Sequence, residues 1–281
     1  MDYISFPKLG IRLEWDNIAF NLFGRDVYWY GIIIAFGFAL AVFTALCLAK
    51  KYGMKSDTVI DIVLIAAPAA IICARLYYVA FEWEYYSKHP GDILKIWNGG
   101  LAIYGGIIAA VLVAVVYCKV KKENFWLFAD FGGIGLTIGQ CIGRWGNFFN
   151  QEAFGTNTNL PWGMYGNKIR SELLSLDIPG IKVDYNLPVH PTFLYESLWN
   201  LLFVIFALKF FDKRKFDGHV FLCYLIYYGI GRFFIESLRT DSLYVGIFRV
   251  SQLVAVGCVV LGCALMIYKL RSKDSKLTTK L

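Results

Sequence analysis

Histidine and paired cysteine are what this chain lacks. Three histidines, His89, His190 and His219, are scattered through 281 residues, too few and too far apart for a metal cage. The seven cysteines (Cys47, Cys73, Cys118, Cys141, Cys223, Cys258, Cys263) include no CxxC pair. All lie in or at the ends of apolar segments, so they read as small core hydrophobes, neither disulfides nor ligands. Charged residues make up only 17%. Residues 1–27 carry Asp2, Glu14 and Asp16 with no basic start leading into an apolar stretch, so no cleavable signal is expected. No repeat of fixed period is visible, which lowers the case for a transporter built of duplicated halves.

What the chain has is hydrophobicity. With 58% apolar residues and a mean hydropathy of +0.53, it is too apolar for an ordinary soluble domain. Seven segments are long enough to be membrane spans: Tyr28–Ala49, Thr58–Phe81, Leu101–Cys118, Phe125–Gly143, Thr192–Leu208, His219–Ile235 and Ile247–Tyr268. The reading is an all-α polytopic membrane protein, one integral domain over 1–281. The net charge of +7 does not point to nucleic acid, because of where it falls. Alternate linkers and the C-terminal tail hold 15 Lys and Arg in 37 residues, including Lys273, Lys276 and Lys280, against 10 in 103 for the other set. The positive-inside rule then places the N-terminus outside and the C-terminus in the cytoplasm.

Residues 144–191 are too polar to span. Gly155, Pro161, Gly163, Gly166, Pro179, Gly180 and Pro188 give them loop chemistry, and they read as an exoplasmic cap with some helix or hairpin between the fourth and fifth spans. The N-terminal arm, with Phe6, Ile11, Leu13, Trp15, Ile18 and Phe20 among charges, reads either as an interfacial segment or as an irregular one. Gly135, Gly139 and Gly143 form two overlapping GxxxG patterns, which suit close approach of a neighbouring helix and a central place for the fourth span.

Polar residues at membrane depth are functional suspects, because charge is expensive there. The block Gly143-Arg144-Trp145-Gly146-Asn147-Phe148-Phe149-Asn150-Gln151-Glu152-Ala153-Phe154-Gly155 is the densest such group. Arg144 and Asn147, three apart, share a face if the helix continues. Arg144 alone could be a snorkelling anchor, but two asparagines and a glutamate beside it need polar partners and suggest a pocket. A second block, His190-Pro191-Thr192-Phe193-Leu194-Tyr195-Glu196, puts Glu196 inside an apolar stretch, where it must be paired or hold its proton. His190 is either a base or a structural residue. Arg232, Glu236 and Arg239 share one helix face. Arg232–Glu236 reads as an internal pair, and Arg239 in the turn Arg239-Thr240-Asp241-Ser242 as a fork for phosphate. Asn98-Gly99-Gly100-Leu101-Ala102-Ile103-Tyr104-Gly105-Gly106 flanks Tyr104 with paired glycines; the tyrosine reads either as an aromatic-belt anchor or as marking a backbone that a helix or ligand approaches closely. Tyr28, Trp29 and Tyr30 open the first span. The topology brings these groups to one leaflet, where arginines suit an anionic phospholipid headgroup.

These four blocks, in their order along the chain, resemble those of the bacterial prolipoprotein diacylglyceryl transferases, over nearly the whole chain. The resemblance implies transfer of the diacylglyceryl group of phosphatidylglycerol to the lipobox cysteine of a prolipoprotein signal peptide, in the bacterial cell membrane, with the site facing outward and no cofactor or metal. It implies catalytic roles for Tyr104, Glu152, His190 and Arg239. Phosphatidylglycerol would be held by Tyr30, Arg144, Asn147, Gly155 and Arg239. Many relatives carry histidine where this chain has Tyr104, so an imidazole base there is not available. A transporter of an anionic lipid or small anion, or a non-catalytic membrane scaffold, are the rival readings. The first needs polar groups continuing through the bilayer, and Asp61 and Asp130 are isolated in sequence.

Overall fold

The computed structural model describes residues 1–175, 183–272 and 277. Pro179, Gly180, Lys273, Lys276 and Lys280 lie outside the described residues. The chain divides into two compact units, Met1–Thr44 with Asp130–Leu277, and Ala45–Ala129.

In the first unit the N-terminal arm is a pair of β-hairpins. Strands β1 (Asp2–Phe6) and β2 (Ile11–Trp15) pair antiparallel, as do β3 (Ile18–Leu22) and β4 (Arg25–Tyr28). The sequence alternates Ile11, Leu13 and Trp15 with Arg12 and Glu14, which is a strand period. The second turn is Phe23-Gly24, both at positive φ (50° and 78°), the hand that suits a tight hairpin. These strands depart from the all-helical expectation, although the molecule remains mostly helical.

Helix α1 (Trp29–Lys51) follows at once. In the second unit α2 (Ser56–Phe81), the short α3 (Trp83–Tyr86) and α4 (Ile103–Lys121) come next. Gly105 meets α2 so closely that a Cβ there would lie 2.6 Å from the Cβ of Tyr77. Arg75 on α2 turns inward and donates to the carbonyls of Asp92 (2.6 Å), Ile93 (2.9 Å), Gly99 (2.7 Å) and Gly100 (2.9 Å), organising the connection into α4. The glycine pairs around Tyr104 therefore accommodate protein: Gly100, at φ 72°, leaves room for the Arg75 guanidinium, and Gly105 for helix α2. Asp61 accepts from the Tyr117 hydroxyl at 2.5 Å, bridging α2 to α4.

The first unit resumes along α5 (Phe125–Asn150). Its glycine face takes α1: a Cβ on Gly37 would lie 3.3 Å from Ile142, and one on Gly135 would lie 3.6 Å from Ala41. Strand β5 (Tyr165–Gly166) then joins β1, giving the sheet order β2-β1-β5, and leads into α6 (Asn167–Ser175). Ile4, Phe148, Phe154, Met164, Ile169, Leu173, Val189 and Phe193 form one buried cluster uniting the sheet, α6 and the end of α5. Burial of each such side chain contributes about 1.5–3 kcal/mol.

Helices α7 (Thr192–Phe210), α8 (His219–Glu236) and α9 (Val250–Arg271) complete the chain, with β6 (Tyr244–Val245) and β7 (Phe248–Arg249) as a small hairpin between the last two. Buried Asp130 reaches from α5 to the start of α8, accepting from the N–H groups of Gly218 and Phe221, both at 2.8 Å. This ties two helices and satisfies orphan donors at a helix N-terminus. Six helices among the described residues are long and apolar enough to cross a membrane: α1, α2, α4, α5, α7 and α9. The sixth expected span, His219–Ile235, does form α8, but its 18 residues carry His219, Arg232 and Glu236, and it is not among those six. Phe36, Leu64, Leu112, Phe234 and Val260 lie exposed on the helices, as lipid-facing side chains do.

Candidate active site

Helix α5 does not stop at Gly143. It runs on to Asn150, so Arg144 and Asn147 share a helical face and Arg144 Nη1 donates to Asn147 Oδ1 at 3.2 Å. The helix ends in a Schellman arrangement: Glu152 N–H bonds the carbonyl of Asn147 (3.0 Å), Gln151 N–H that of Phe148 (3.1 Å), and Gln151 sits at φ 58°. A non-glycine residue in that left-handed region is strained by about 1 kcal/mol. The buried Gln151 amide offsets this, donating to Asn167 Oδ1 at 2.9 Å and accepting the N–H of Lys168 at 3.0 Å. The turn folds Glu152 back under the helix end, where it accepts from Asn147 Nδ2 (2.8 Å) and Asn150 Nδ2 (3.4 Å).

The centre of the site is Glu196 on α7, whose side chain is 7% exposed. Arg144 Nη2 pairs with Glu196 Oε2. Arg232 Nη1 meets Oε1 at 2.6 Å, and Arg239 Nη1 stands 3.7 Å from the same oxygen. Arg232 Nη2 also pairs with Glu236 at 2.7 Å, the pair that the sequence spacing suggests. Arg239 places Nε and Nη2 on the two oxygens of Asp241, at 2.9 and 2.6 Å. Burial works against both charges of this last pair, yet each partner overrides it. Arg239 is held above its ordinary pKa and Asp241 below the usual carboxylate range. Three guanidiniums from α5, α8 and the turn after α8 thus converge on one carboxylate.

Gly155 laces the surrounding segments. Its N–H bonds the carbonyl of His190 (2.9 Å), Thr156 N–H bonds that of Leu238 (2.8 Å), and Gly155 bridges Arg239. A Cβ at 155 would come within 2.8 Å of the His190 Cβ and 2.9 Å of the Leu238 oxygen, so the approach admits only glycine without movement. Tyr30, in the first turn of α1, lies against Gly146, where a Cβ would sit 2.8 Å from its ring. His190 Nδ1 is 3.1 Å from the Tyr195 hydroxyl, which accepts the Trp162 indole N–H at 2.8 Å. Burial pushes the His190 imidazole below its ordinary pKa, so the ring is neutral near pH 7.

Of the residues singled out in the sequence, Arg144, Asn147 and Glu152 are linked by hydrogen bonds, Arg239 bridges Gly155 and shares Glu196 with Arg144, His190 bonds Gly155, and Tyr30 packs on Gly146. Tyr104 is half-buried near the start of α4 and belongs to the other unit. Glu196 as the shared partner, Arg232 as a second ligand of it and Asp241 as the mate of Arg239 were not singled out for the site. The signal for Glu196 was its place in an apolar stretch, which demands a cation without naming one.

Fold and site together define a mostly helical polytopic membrane protein with an arginine–carboxylate network at the end of one apolar helix. A family model described as prolipoprotein diacylglyceryl transferase matches residues 17–268. The chain is 48% identical over 253 residues to the phosphatidylglycerol–prolipoprotein diacylglyceryl transferase of Finegoldia magna, covering 90% of this chain and 95% of that one. Its counterpart in Clostridioides difficile is 44% identical over 253 residues, with the same coverage. The Bacillus velezensis counterpart is 46% identical over 257 residues, covering 90% and 91%. The chain belongs to the prolipoprotein diacylglyceryl transferase family.

Proposed function

We propose that this chain transfers the diacylglyceryl group of phosphatidylglycerol to the lipobox cysteine of prolipoproteins. The observation that carries the proposal is the convergence of Arg144 and Arg239 on one buried carboxylate, in a chain whose relatives bear that activity in their names. The cysteine sulfur attacks the glycerol carbon, a C–S bond forms, and the C–O bond to phosphorus breaks. Glycerol phosphate leaves, and the thiol proton passes to a base. No electrons are exchanged, so the proposal includes no cofactor.

Negative charge gathers on the leaving phosphate, and fixed guanidiniums there stabilise the transition state more than the ground state. We assign Arg144 and Arg239 to that phosphate. Asn147 and Glu152 orient headgroup hydroxyls or Arg144 itself, and Tyr30 and Gly155 complete the lipid contacts. Tyr104 and His190 are the proton-acceptor candidates, and the neutral state of His190 is the one a base requires.

The reading includes α8 as a seventh span, an outside N-terminus, a cytoplasmic C-terminus, an exoplasmic segment at about 144–191, and a site facing outward from the bacterial cell membrane. Its support is the charge alternation of the linkers. Purified protein incubated with phosphatidylglycerol and a lipobox peptide should yield a diacylglyceryl adduct on cysteine by mass spectrometry. Passage of labelled lipid or anion into proteoliposomes with no covalent product would sink it in favour of transport.

A further inference from the structure

Arg249 has no part in the roles assigned above. It closes β7, directly before α9. Its Nη1 donates to the carbonyl of Glu236, to the carbonyl of Arg239 at 3.1 Å and to Ser242 Oγ at 3.2 Å. The three acceptors bracket the end of α8 and the turn that follows it. A helix leaves its last carbonyls without internal partners and its C-terminal end negative, so a cation with several donors suits that end. The same turn is held on its other side by Gly155 bridging Arg239 and by Thr156 N–H on Leu238. The Arg249 guanidinium also lies over the Tyr244 ring, 5.6 Å from its centroid, which limits its own freedom.

We infer that Arg249 is a positioning residue: it fixes the backbone from which Glu236 and Arg239 project, and thereby the place of the Arg239 fork. Glu236 in turn holds Arg232, so two of the three arginines on Glu196 depend on one distal guanidinium. Arg249 contacts the peptide carbonyls and leaves the side chains of Glu236 and Arg239 to the site. This role rests on the transferase reading.

The test is steady-state transfer by purified full-length R249M, R249K and S242A, with both substrates varied and the melting temperature recorded. For R249M, kcat/KM for phosphatidylglycerol should fall about ten-fold, the scale set by losing hydrogen bonds to a charged donor. The KM for the lipobox peptide should not change, and R249K should recover much of the loss. S242A, which removes one acceptor, should move the same constant less, and it carries the test if R249M does not fold. Wild-type constants in R249M, or in S242A where R249M is unfolded, overturn the inference. So does a loss in R249M that equals its loss of folded protein. An inactive wild-type enzyme overturns the transferase reading itself, and this role with it.

Discussion

Glu196 is where the energetics of the site concentrate. A buried carboxylate serving three guanidiniums is stabilising only while the set is complete, because removing one partner strands buried charge. E196Q should therefore cost about 3–5 kcal/mol of stability, read as a lowered melting temperature in detergent. It should cost more than removal of the exposed Arg12–Glu14 pair, whose members are more than half accessible or close to it. R144A should fold and yet lose about 100-fold or more in transfer rate, because a fixed positive charge at a departing phosphate acts mainly on the transition state. R144K should restore little, since an ammonium cannot span Glu196 and Asn147 as the planar fork does. His190 makes a pH-dependent contribution of known sign. Its folded pKa lies below the ordinary 6.5, so the unfolded chain binds the proton more readily. The stability it confers is complete above 6.5 and is lost as pH falls through the folded value. Unfolding measured between about pH 5 and 7 should show that slope, and H190N should flatten it.

At the scale of elements, the segment 154–156 works as a seam between the 189–190 stretch and the turn after α8. G155A should separate them, because the added Cβ would meet the Leu238 carbonyl, a backbone atom that cannot swing aside. The expected result is a loss of activity together with a melting temperature lowered by the equivalent of about 1–3 kcal/mol. The spanning helices α1, α2, α4, α5, α7 and α9 were legible because each is a long apolar run, which the short α3 and the polar α6 are not. The expected fourth span ended at Gly143, and the run of α5 on to Asn150 stood only as the condition under which Arg144 and Asn147 share a face. The hairpins of residues 2–28 were not read, since five-residue strands interleaved with charges give as good an interfacial pattern as a β one. The Glu196 network was half legible. Residues 144, 196 and the 232–239 stretch are far apart in sequence, and hydropathy shows that each needs a partner without saying which. The reach of Arg249 across the hairpin had no local signal at all, because its acceptors are backbone carbonyls that every residue carries.

For the whole molecule, the alternating linkers predict a definite threading. With the seven native cysteines replaced, single cysteines placed at Asn21 and at Asp212 should react with a membrane-impermeant reagent in intact cells only at the first. Labelling of the second from outside would invert the chain or remove one of the spans that precede α8. The ion pairing of the site has a consequence for affinity. Every guanidinium at its centre already carries a carboxylate, and Arg239 holds Asp241 in a two-point fork. On the proposed assignment of Arg144 and Arg239 to the phosphate, an incoming phosphodiester would perform an anion exchange, giving up one set of contacts to gain another of similar kind. Such a swap releases little free energy, so retention of the donor falls to its hydrocarbon tails. Glycerophosphodiesters stripped of their acyl chains should compete poorly even at high concentration, and phosphate-buffered solutions should leave the enzyme uninhibited. On that assignment, a site that carries its own counter-ions would be blind to soluble anions and open to those that arrive through the lipid.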